Sequence, residues 1–249
     1  MRFKVAEQED VNKGSNILST IAERRAAVNG RMAEHNAKIL TEVDATEYAY
    51  RYAFSFDGDD AALEKMTRYI EELEGAEILS LGRGLELVKD LGDANVVSDQ
   101  YGLKGFQGTH ALGHTRMATE SDVDIRSAHP YWAYPYNDIS VVHNGQITNY
   151  WIMRRQMEFK GHRFLSNCDS ELLAVYTADK LNDGYTLEDS LRQSIEEIDG
   201  VFTYVVATKD CLGMAKDTMA AKPMVLFESD DLVVLASEEG AIRAMIPHE

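Results

Sequence analysis

The sequence is poor in cysteine and in basic residues, and each shortage excludes a class of function. Cys168 and Cys211 are the only cysteines in 249 residues, and their spacing matches no paired motif. A disulfide framework or structural zinc site is therefore not expected, and a reducing cytoplasm is the predicted location. Lys and Arg number 25 against 42 Asp and Glu, for a formal charge of -17. This surplus of acid argues against nonspecific binding of nucleic acid.

Long apolar segments are also missing. No apolar run approaches the roughly 20 residues of a membrane span, so no membrane association is expected. Met1 to Lys4 is followed closely by Glu, Gln and Asp, and this start has no signal-peptide character. A chain of 249 residues can form one large α/β domain or two small ones with an ample core.

The first part of the chain predicts a small α/β layer. Apolar residues near helical spacing predict a helix over residues 15–40. Tyr and Phe alternate with other residues over 48–56, which is typical of a strand. A second helix is predicted for Ala61 to Leu73 and a short strand for Ile78 to Leu81.

The second part is richer in apolar runs and predicts antiparallel pairing. The predicted strands are His110–Thr115, Ile139–His143, Phe202–Thr208, Gly213–Ala215, Pro223–Phe227 and Leu232–Ala236. The predicted helices are Ile147–Phe159, Ser170–Leu181 and Leu187–Ile195. Because the late strands are joined by tight turns, the expected class is α+β rather than doubly wound.

Arg116 and Thr119 are candidate ligands for a carboxylate. Arg116 lies in a run of small and hydroxylated residues at the end of a predicted strand. A guanidinium can hold a carboxylate by two parallel hydrogen bonds, with Thr119 nearby as a neutral donor. An ordinary salt bridge explains an arginine equally well.

His143-Asn144-Gly145 follows an apolar strand and supports two interpretations. Asn-Gly is a strong turn signal, so a hairpin or strand-to-helix turn would account for it. Alternatively, the Asn144 amide and the Gly145 N–H form an oxyanion hole, where glycine lets the backbone approach a substrate closely.

Asp169 and Glu171 are predicted in the first turn of a helix. Acidic residues there interact favourably with the helix dipole and cap free N–H groups, which is sufficient to explain them. A more specific hypothesis is that Asp169 pairs with the α-ammonium of an amino acid. Together with an arginine for the carboxylate, it would form a clamp for glutamine.

Two other candidates are weaker. Cys168 has no histidine base next to it in sequence, and buried thiols usually serve packing. His110 and His114 share one face of a predicted strand, but no HExxH pattern or carboxylate cluster accompanies them. No metal site is therefore predicted.

Several short motifs together resemble one family. They are Gly113-His114-Thr115-Arg116-Met117-Ala118-Thr119, Ser127-Ala128-His129-Pro130, His143-Asn144-Gly145 with Asn149, Asp169-Ser170-Glu171, Asp217 to Lys222-Pro223, and Leu235-Ala236-Ser237-Glu238. In this order and spacing they resemble the class II glutamine amidotransferases, which have the N-terminal-nucleophile (Ntn) hydrolase fold. Ile78 to Arg83, together with Gly113 to Ser121, most resembles the stand-alone amidotransferase subunit of archaeal-type glutamate synthase and N-methylglutamate synthase.

The resemblance implies a fold and a domain organisation. It covers roughly residues 76–245. It implies an αββα sandwich of mostly antiparallel sheets with an incomplete N-terminal part. Residues 1–249 are expected to form one amidotransferase-like domain, with 1–75 as a variable α/β insert or layer and 76–249 as the glutamine-binding core.

The resemblance also implies a mechanism. A cysteine at the mature amino terminus attacks the glutamine amide, with its own α-amine as base. Asn144 and Gly145 stabilise the oxyanion, while Arg116, Thr119, His143 and Asp169 bind the substrate. Ammonia passes to a synthase subunit, and FMN and iron–sulfur clusters are expected on that partner, with no cofactor in this chain.

One departure from the family leaves alternatives open. The sequence begins Met1-Arg2-Phe3-Lys4, and its first cysteine is Cys168. The family's opening Cys-Gly-Ile strand and its Arg-Gly-Pro-Asp-Ser segment are absent. Either the sequence is a truncated form or receives its nucleophile from a separate segment, or it is a noncatalytic glutamine-binding or scaffolding subunit. A fragment that does not fold alone is the third alternative.

Overall fold

The strands and helices are defined in a computed structural model that describes residues 1–6, 11, 17–115, 125, 127–134 and 138–246. The strands are β1 (Arg2–Lys4), β2 (Ala37–Asp44), β3 (Ala49–Phe56), β4 (Glu77–Ser80), β5 (Tyr131–Trp132), β6 (Ile139–Ile147), β7 (Gly200–Thr208), β8 (Leu212–Lys216), β9 (Val225–Glu228) and β10 (Val233–Ala236). The helices are α1 (Ile17–Glu34), α2 (Asp60–Glu71), α3 (Ala94–Gln100), α4 (Tyr150–Phe159), α5 (Asp169–Asn182), α6 (Leu187–Glu197) and α7 (Glu239–Met245).

The first sheet has the strand order β2-β3-β1-β4, and all its pairs are antiparallel. Along the chain its elements follow the order strand, helix, strand, strand, helix, strand. Alternating tyrosines of β3 are buried, and Tyr52 packs edge-on against Phe3 of β1. Val28 and Met32 of α1 and Met66 and Ile70 of α2 complete the first hydrophobic cluster.

One helix prediction in this layer was too long. The helix predicted over residues 15–40 ends at Glu34, and Ala37–Asp44 forms strand β2. Asn36 has a positive φ of 59°, a conformation that ends many helices and that asparagine tolerates. The strand predicted for residues 48–56 is confirmed as β3, and the helix predicted from Ala61 is confirmed as α2.

The second sheet has the order β5-β6-β7-β8, again fully antiparallel. Helix α5 lies on β5 and β6, and its residues from Ser170 to Asp179 are all buried. The apolar residues among them form a second hydrophobic cluster with Phe202 and Val206 of β7. The predicted α+β class with mostly antiparallel sheets is therefore confirmed.

The remaining predictions for this part were mostly right. The structure confirms the late strands and the three helices to within a few residues at their ends. The strand prediction for His110–Thr115 was wrong, because these residues form no strand. The prediction that a strand ends at His143 was also wrong, because β6 continues to Ile147. A separate two-stranded sheet is formed by β9 and β10.

Asp138 links the segment after the first sheet to the second sheet. Its carboxylate accepts hydrogen bonds from the backbone N–H groups of Arg83 (3.0 Å), Gly84 (2.9 Å) and Leu85 (2.7 Å). Asp138 directly precedes β6, so this contact joins the loop that follows β4 to the strand that leads to His143. Among the described residues, no helix is long and apolar enough to cross a membrane.

Candidate functional site

The candidate site lies where β6 ends beside the first turn of α5. Residues His143 to Gly145 pair with Tyr204, Thr203 and Phe202 of β7 in an unbroken ladder. Asn144 and Gly145 therefore belong to a strand, and the hairpin interpretation of Asn-Gly was wrong. The Asn144 side chain is exposed, whereas His143 is buried.

Gly145 occupies a position that no other residue fits without movement. Its φ is +145°, and a Cβ built there would lie 2.0 Å from the Val201 carbonyl oxygen and 3.0 Å from His143 Nε2. Gly200 has the reciprocal constraint, because its Cβ would lie 2.2 Å from the Gln146 oxygen. Glycine is therefore required at this position mainly because the backbone of β7 approaches it closely.

Asp169 joins the start of α5 to the end of β6. Its Oδ2 accepts a hydrogen bond of 2.9 Å from the Ile147 N–H. Its Oδ1 lies 3.5 Å from Ser170 Oγ and 3.9 Å from His143 Nδ1. The side chain is 22% exposed, so a cation or a further hydrogen-bond donor can still reach this carboxylate.

A buried polar cluster lies behind Asp169. His143 Nδ1 is 2.9 Å from Ser170 Oγ, and His129 Nε2 is 3.4 Å from the same hydroxyl. Cys168 Sγ lies 3.6 Å from Ser170 Oγ, and the His114 ring contacts that of His129 at a tilt of 40°, with centroids 4.2 Å apart. Ser170 therefore connects the motif on β6 with the segment before β5.

Glu171 holds the loop that precedes the site. Its Oε1 accepts from the Leu165 N–H (2.6 Å), and its Oε2 accepts from the N–H and the hydroxyl of Ser166 (2.7 Å each). Burial raises the pKa of this carboxyl, and these three donors oppose that shift. Glu171 therefore positions Leu165 and Ser166, which precede α5 in the chain.

Arg116 and Thr119, the predicted ligands of the substrate carboxylate, lie outside the described residues. The Asn149 side chain binds the backbone between α6 and β7. It donates to the Glu197 carbonyl and accepts from the Asp199 N–H. Sequence reasoning singled out Asn144, Gly145, His143 and Asp169, and all four lie at this junction.

Four residues of the cluster were not predicted as site residues. His129 and Ser170 appeared only within motifs, whereas Cys168 was considered as a nucleophile and His114 as a metal ligand, and both were set aside. Within the described part of the chain, no group of three or more His, Cys, Asp or Glu side chains could hold a metal ion.

The match to a known family covers this junction. Residues 114–244 match the sequence model of a family described as glutamine amidotransferase domain. This is just over half of the chain. The chain therefore belongs to the glutamine amidotransferase domain family, and the resemblance to class II enzymes with an Ntn-hydrolase fold is confirmed.

Individual relatives agree with the family. A putative glutamine amidotransferase of Methanothermobacter thermautotrophicus is 43% identical over 184 residues, which are 74% of this chain and 60% of that protein. The glutamine amidotransferase-like protein GlxB of Rhizobium meliloti is 35% identical over 165 residues, 66% of this chain and 54% of the relative. The match thus spans little more than half the length of these curated relatives.

A solved structure shares the fold. It is described as the allosteric regulatory enzyme of purine biosynthesis and has 25% sequence identity to this chain with a TM-score of 0.51. The similarity covers 59% of this chain and 32% of that one.

Proposed function

We propose that this protein supplies the glutaminase activity of a glutamate-synthase-like system. It binds glutamine, releases glutamate and ammonia, and passes the ammonia to a synthase partner that carries FMN and iron–sulfur clusters. The observation that supports this most is the partly exposed Asp169 carboxylate. It accepts a hydrogen bond from the N–H of Ile147, which follows Gly145 by two residues. It stands in a chain that belongs to the amidotransferase family.

Each residue at the junction has a part in this proposal. Asp169 Oδ1 accepts the α-ammonium of glutamine, and Arg116 with Thr119 binds its carboxylate. The exposed Asn144 amide and the Gly145 N–H stabilise the oxyanion, an effect worth about 10² to 10³ in turnover for one donor. His143 is a positioning residue, because its buried ring acts through Ser170 on the start of α5.

The covalent step needs a thiolate, which the family takes from an amino-terminal cysteine. The sulfur attacks the side-chain amide carbon, and the C–N bond breaks as ammonia leaves with a proton carried by the general base. Water then cleaves the thioester to give glutamate and the free thiol. The residues of the junction bind and orient glutamine for this step.

The test begins with the native protein from its own host, because its intact mass and amino-terminal sequence decide the source of the thiol. Glutamine binding is then measured by calorimetry for the parent and for Asp169→Asn. Loss of the carboxylate charge is expected to weaken binding at least about tenfold, since charged hydrogen bonds contribute about 1.5 to 3 kcal/mol. Asp210→Asn, at an exposed turn, is the matched control and is expected to bind normally.

The outcomes separate the two candidate functions. Release of ammonia from glutamine, lost after alkylation of an amino-terminal cysteine, supports the glutaminase. Binding without release supports a noncatalytic glutamine-binding or scaffolding subunit. If Asp169→Asn and Asp210→Asn bind glutamine as the parent does, the clamp assigned to Asp169 is wrong.

A further inference from the structure

Asp217 directly follows β8 and holds the turn after that strand with its side chain. Its Oδ2 accepts a hydrogen bond from the Phe202 N–H (2.9 Å), and the Phe202 carbonyl accepts one from the Asp217 N–H (3.0 Å). Its Oδ1 accepts from the N–H groups of Met219 (2.8 Å) and Ala220 (3.1 Å). Because Asp217 is only 7% exposed, one buried carboxylate connects this turn to β7.

A second contact holds the same turn, which we call the Asp217 turn and define as residues 217–222. The Thr203 hydroxyl donates to the Lys222 carbonyl (3.1 Å), and Thr203 is buried. Ala220 has a φ of +53°, which is unfavourable for a residue with a Cβ. A strained conformation persists only where the surrounding structure imposes it. The contacts to β7 supply that restraint.

Phe202 and Thr203 are the residues of β7 that lie opposite Gly145 and Asn144. Directly opposite residues of antiparallel strands either exchange both backbone hydrogen bonds with each other or direct them to their outer neighbours. Both backbone groups of Phe202 bond to Asp217, so Phe202 and Gly145 form a pair without hydrogen bonds. The Gly145 N–H consequently points away from β7.

The edge towards which the Gly145 N–H points is open. In the described chain, β5 covers this edge of β6 only at Ser140 and Val141. Ile147, two residues further along β6, uses its N–H on the same edge to bind Asp169. The Gly145 N–H therefore lies on the side of the strand where Asp169 is proposed to bind glutamine.

We propose that Asp217 is a positioning residue for the oxyanion hole, an inference that rests on the proposed glutaminase function. By accepting the Phe202 N–H, it keeps the backbone groups of that residue turned away from Gly145, whose own N–H stays available to the oxyanion. Without this acceptor the fully buried Phe202 has an unsatisfied donor, and β7 must shift to satisfy it. Gly145 moves with β7, because a Cβ at Gly145 would lie only 2.7 Å from the Phe202 Cα.

The first test uses the full-length protein expressed in its own host, at a temperature where circular dichroism shows every variant to be folded. Asp217→Asn keeps the shape of the side chain but places an NH₂ group among backbone donors. It is expected to lower kcat for ammonia release at least about tenfold and to leave KM within about twofold, since the oxyanion forms only in the transition state. Asp210→Asn, at the exposed turn on the other end of β8, is the control and is expected to keep both constants.

The second test needs no turnover and separates this inference from the proposed function. In nuclear magnetic resonance spectra of isotope-labelled protein, the Gly145 amide resonance is expected to shift in Asp217→Asn and to stay in place in Asp210→Asn. The Gly161 resonance is expected to stay in place in both. If the parent releases no ammonia, the proposed glutaminase function fails, and the Gly145 resonance decides the role of Asp217.

Thr203→Val is the second variant and serves if Asp217→Asn does not fold. It removes the other anchor of the Asp217 turn and is expected to shift the Gly145 resonance and to lower kcat by a smaller factor. The proposal is overturned if the Gly145 resonance is unchanged in the folded variants, or if folded and active Asp217→Asn has the kcat of the parent.

Discussion

Gly145 can be tested for its role in the sheet apart from any role in chemistry. A Cβ at this position would lie 2.0 Å from the Val201 oxygen and 2.7 Å from the Phe202 Cα. We expect Gly145→Ala to lower the free energy of unfolding by about 3 kcal/mol, because backbone strain and overpacking each cost about 1 to 3 kcal/mol. Urea denaturation of the two proteins measures the difference.

Gly161 provides the control, because it shares a positive φ but has open space around it. Its φ is +96°, and nothing lies within 4 Å of an added Cβ. Gly161→Ala therefore carries only the cost of the backbone conformation, about 1 kcal/mol. Equal losses for the two variants would show that contact with β7 is unimportant.

At the scale of single residues, the sequence predicted which residues lie at the site but not which residues they contact. Asn144, Gly145 and Asp169 were found from short motifs. The contact of His143 with Ser170 spans 27 residues, and that of His129 with Ser170 spans 41. Such contacts are set by the packing of α5 on β6, which no local pattern encodes.

The start of helix α5 offers a prediction about pH, through the buried Glu171. Burial raises the pKa of its carboxyl above the ordinary value, so the folded state binds this proton more tightly than the unfolded state does. The stability that Glu171 contributes is therefore complete below its unfolded pKa and is lost as pH rises through the folded pKa.

Glu171→Gln removes this titration. We expect the stability advantage of the parent over the variant to be largest near pH 4.5 and to shrink as pH rises, because only the parent must ionise a buried group. Thermal unfolding of both proteins in steps from pH 4.5 to 8 measures it. A difference that grows with pH would mean that the donors at Leu165 and Ser166 outweigh burial.

Elements were predicted well where local pattern and tertiary packing agree. The alternating aromatics of β3 and the apolar α5 are examples. Residues 37–44 contain Ala, Lys, Leu and Glu, which are good helix formers, yet they form β2 because β3 offers a pairing edge over its full length. Strand β1 has three residues and exists only between β3 and β4, so it could not be predicted locally.

At the scale of the whole molecule, the described residues form two hydrophobic clusters, and Asp138 contributes to their connection. We expect Asp138→Gly to lower the denaturant midpoint, because it removes the acceptor of three backbone N–H groups, and hydrogen bonds to charged groups contribute about 1.5 to 3 kcal/mol each. Urea denaturation of the parent and the variant, followed by far-ultraviolet circular dichroism, measures the two midpoints.

Asp138→Asn is the matched control, since Asp138 has a positive φ of 59° that asparagine also tolerates. It keeps one acceptor oxygen, so an intermediate loss is expected. If glycine and asparagine at this position unfold like the parent, the link between the clusters does not depend on the carboxylate.

The predicted division of the domain into a layer over residues 1–75 and a glutamine-binding core over 76–249 stays a prediction, although β4 (Glu77–Ser80) pairs in the first sheet.

The glycines of the β6–β7 pair, Gly145 and Gly200, also bear on how homologous sequences diverge after losing activity. Gly145 and Gly200 each exclude a side chain for the sake of the opposite backbone, so purifying selection on folding alone would retain both. A descendant without catalysis would thus still carry glycine at position 145. The exposed Asn144 has no such packing duty, and its replacement would be the earlier mark of a pseudoenzyme.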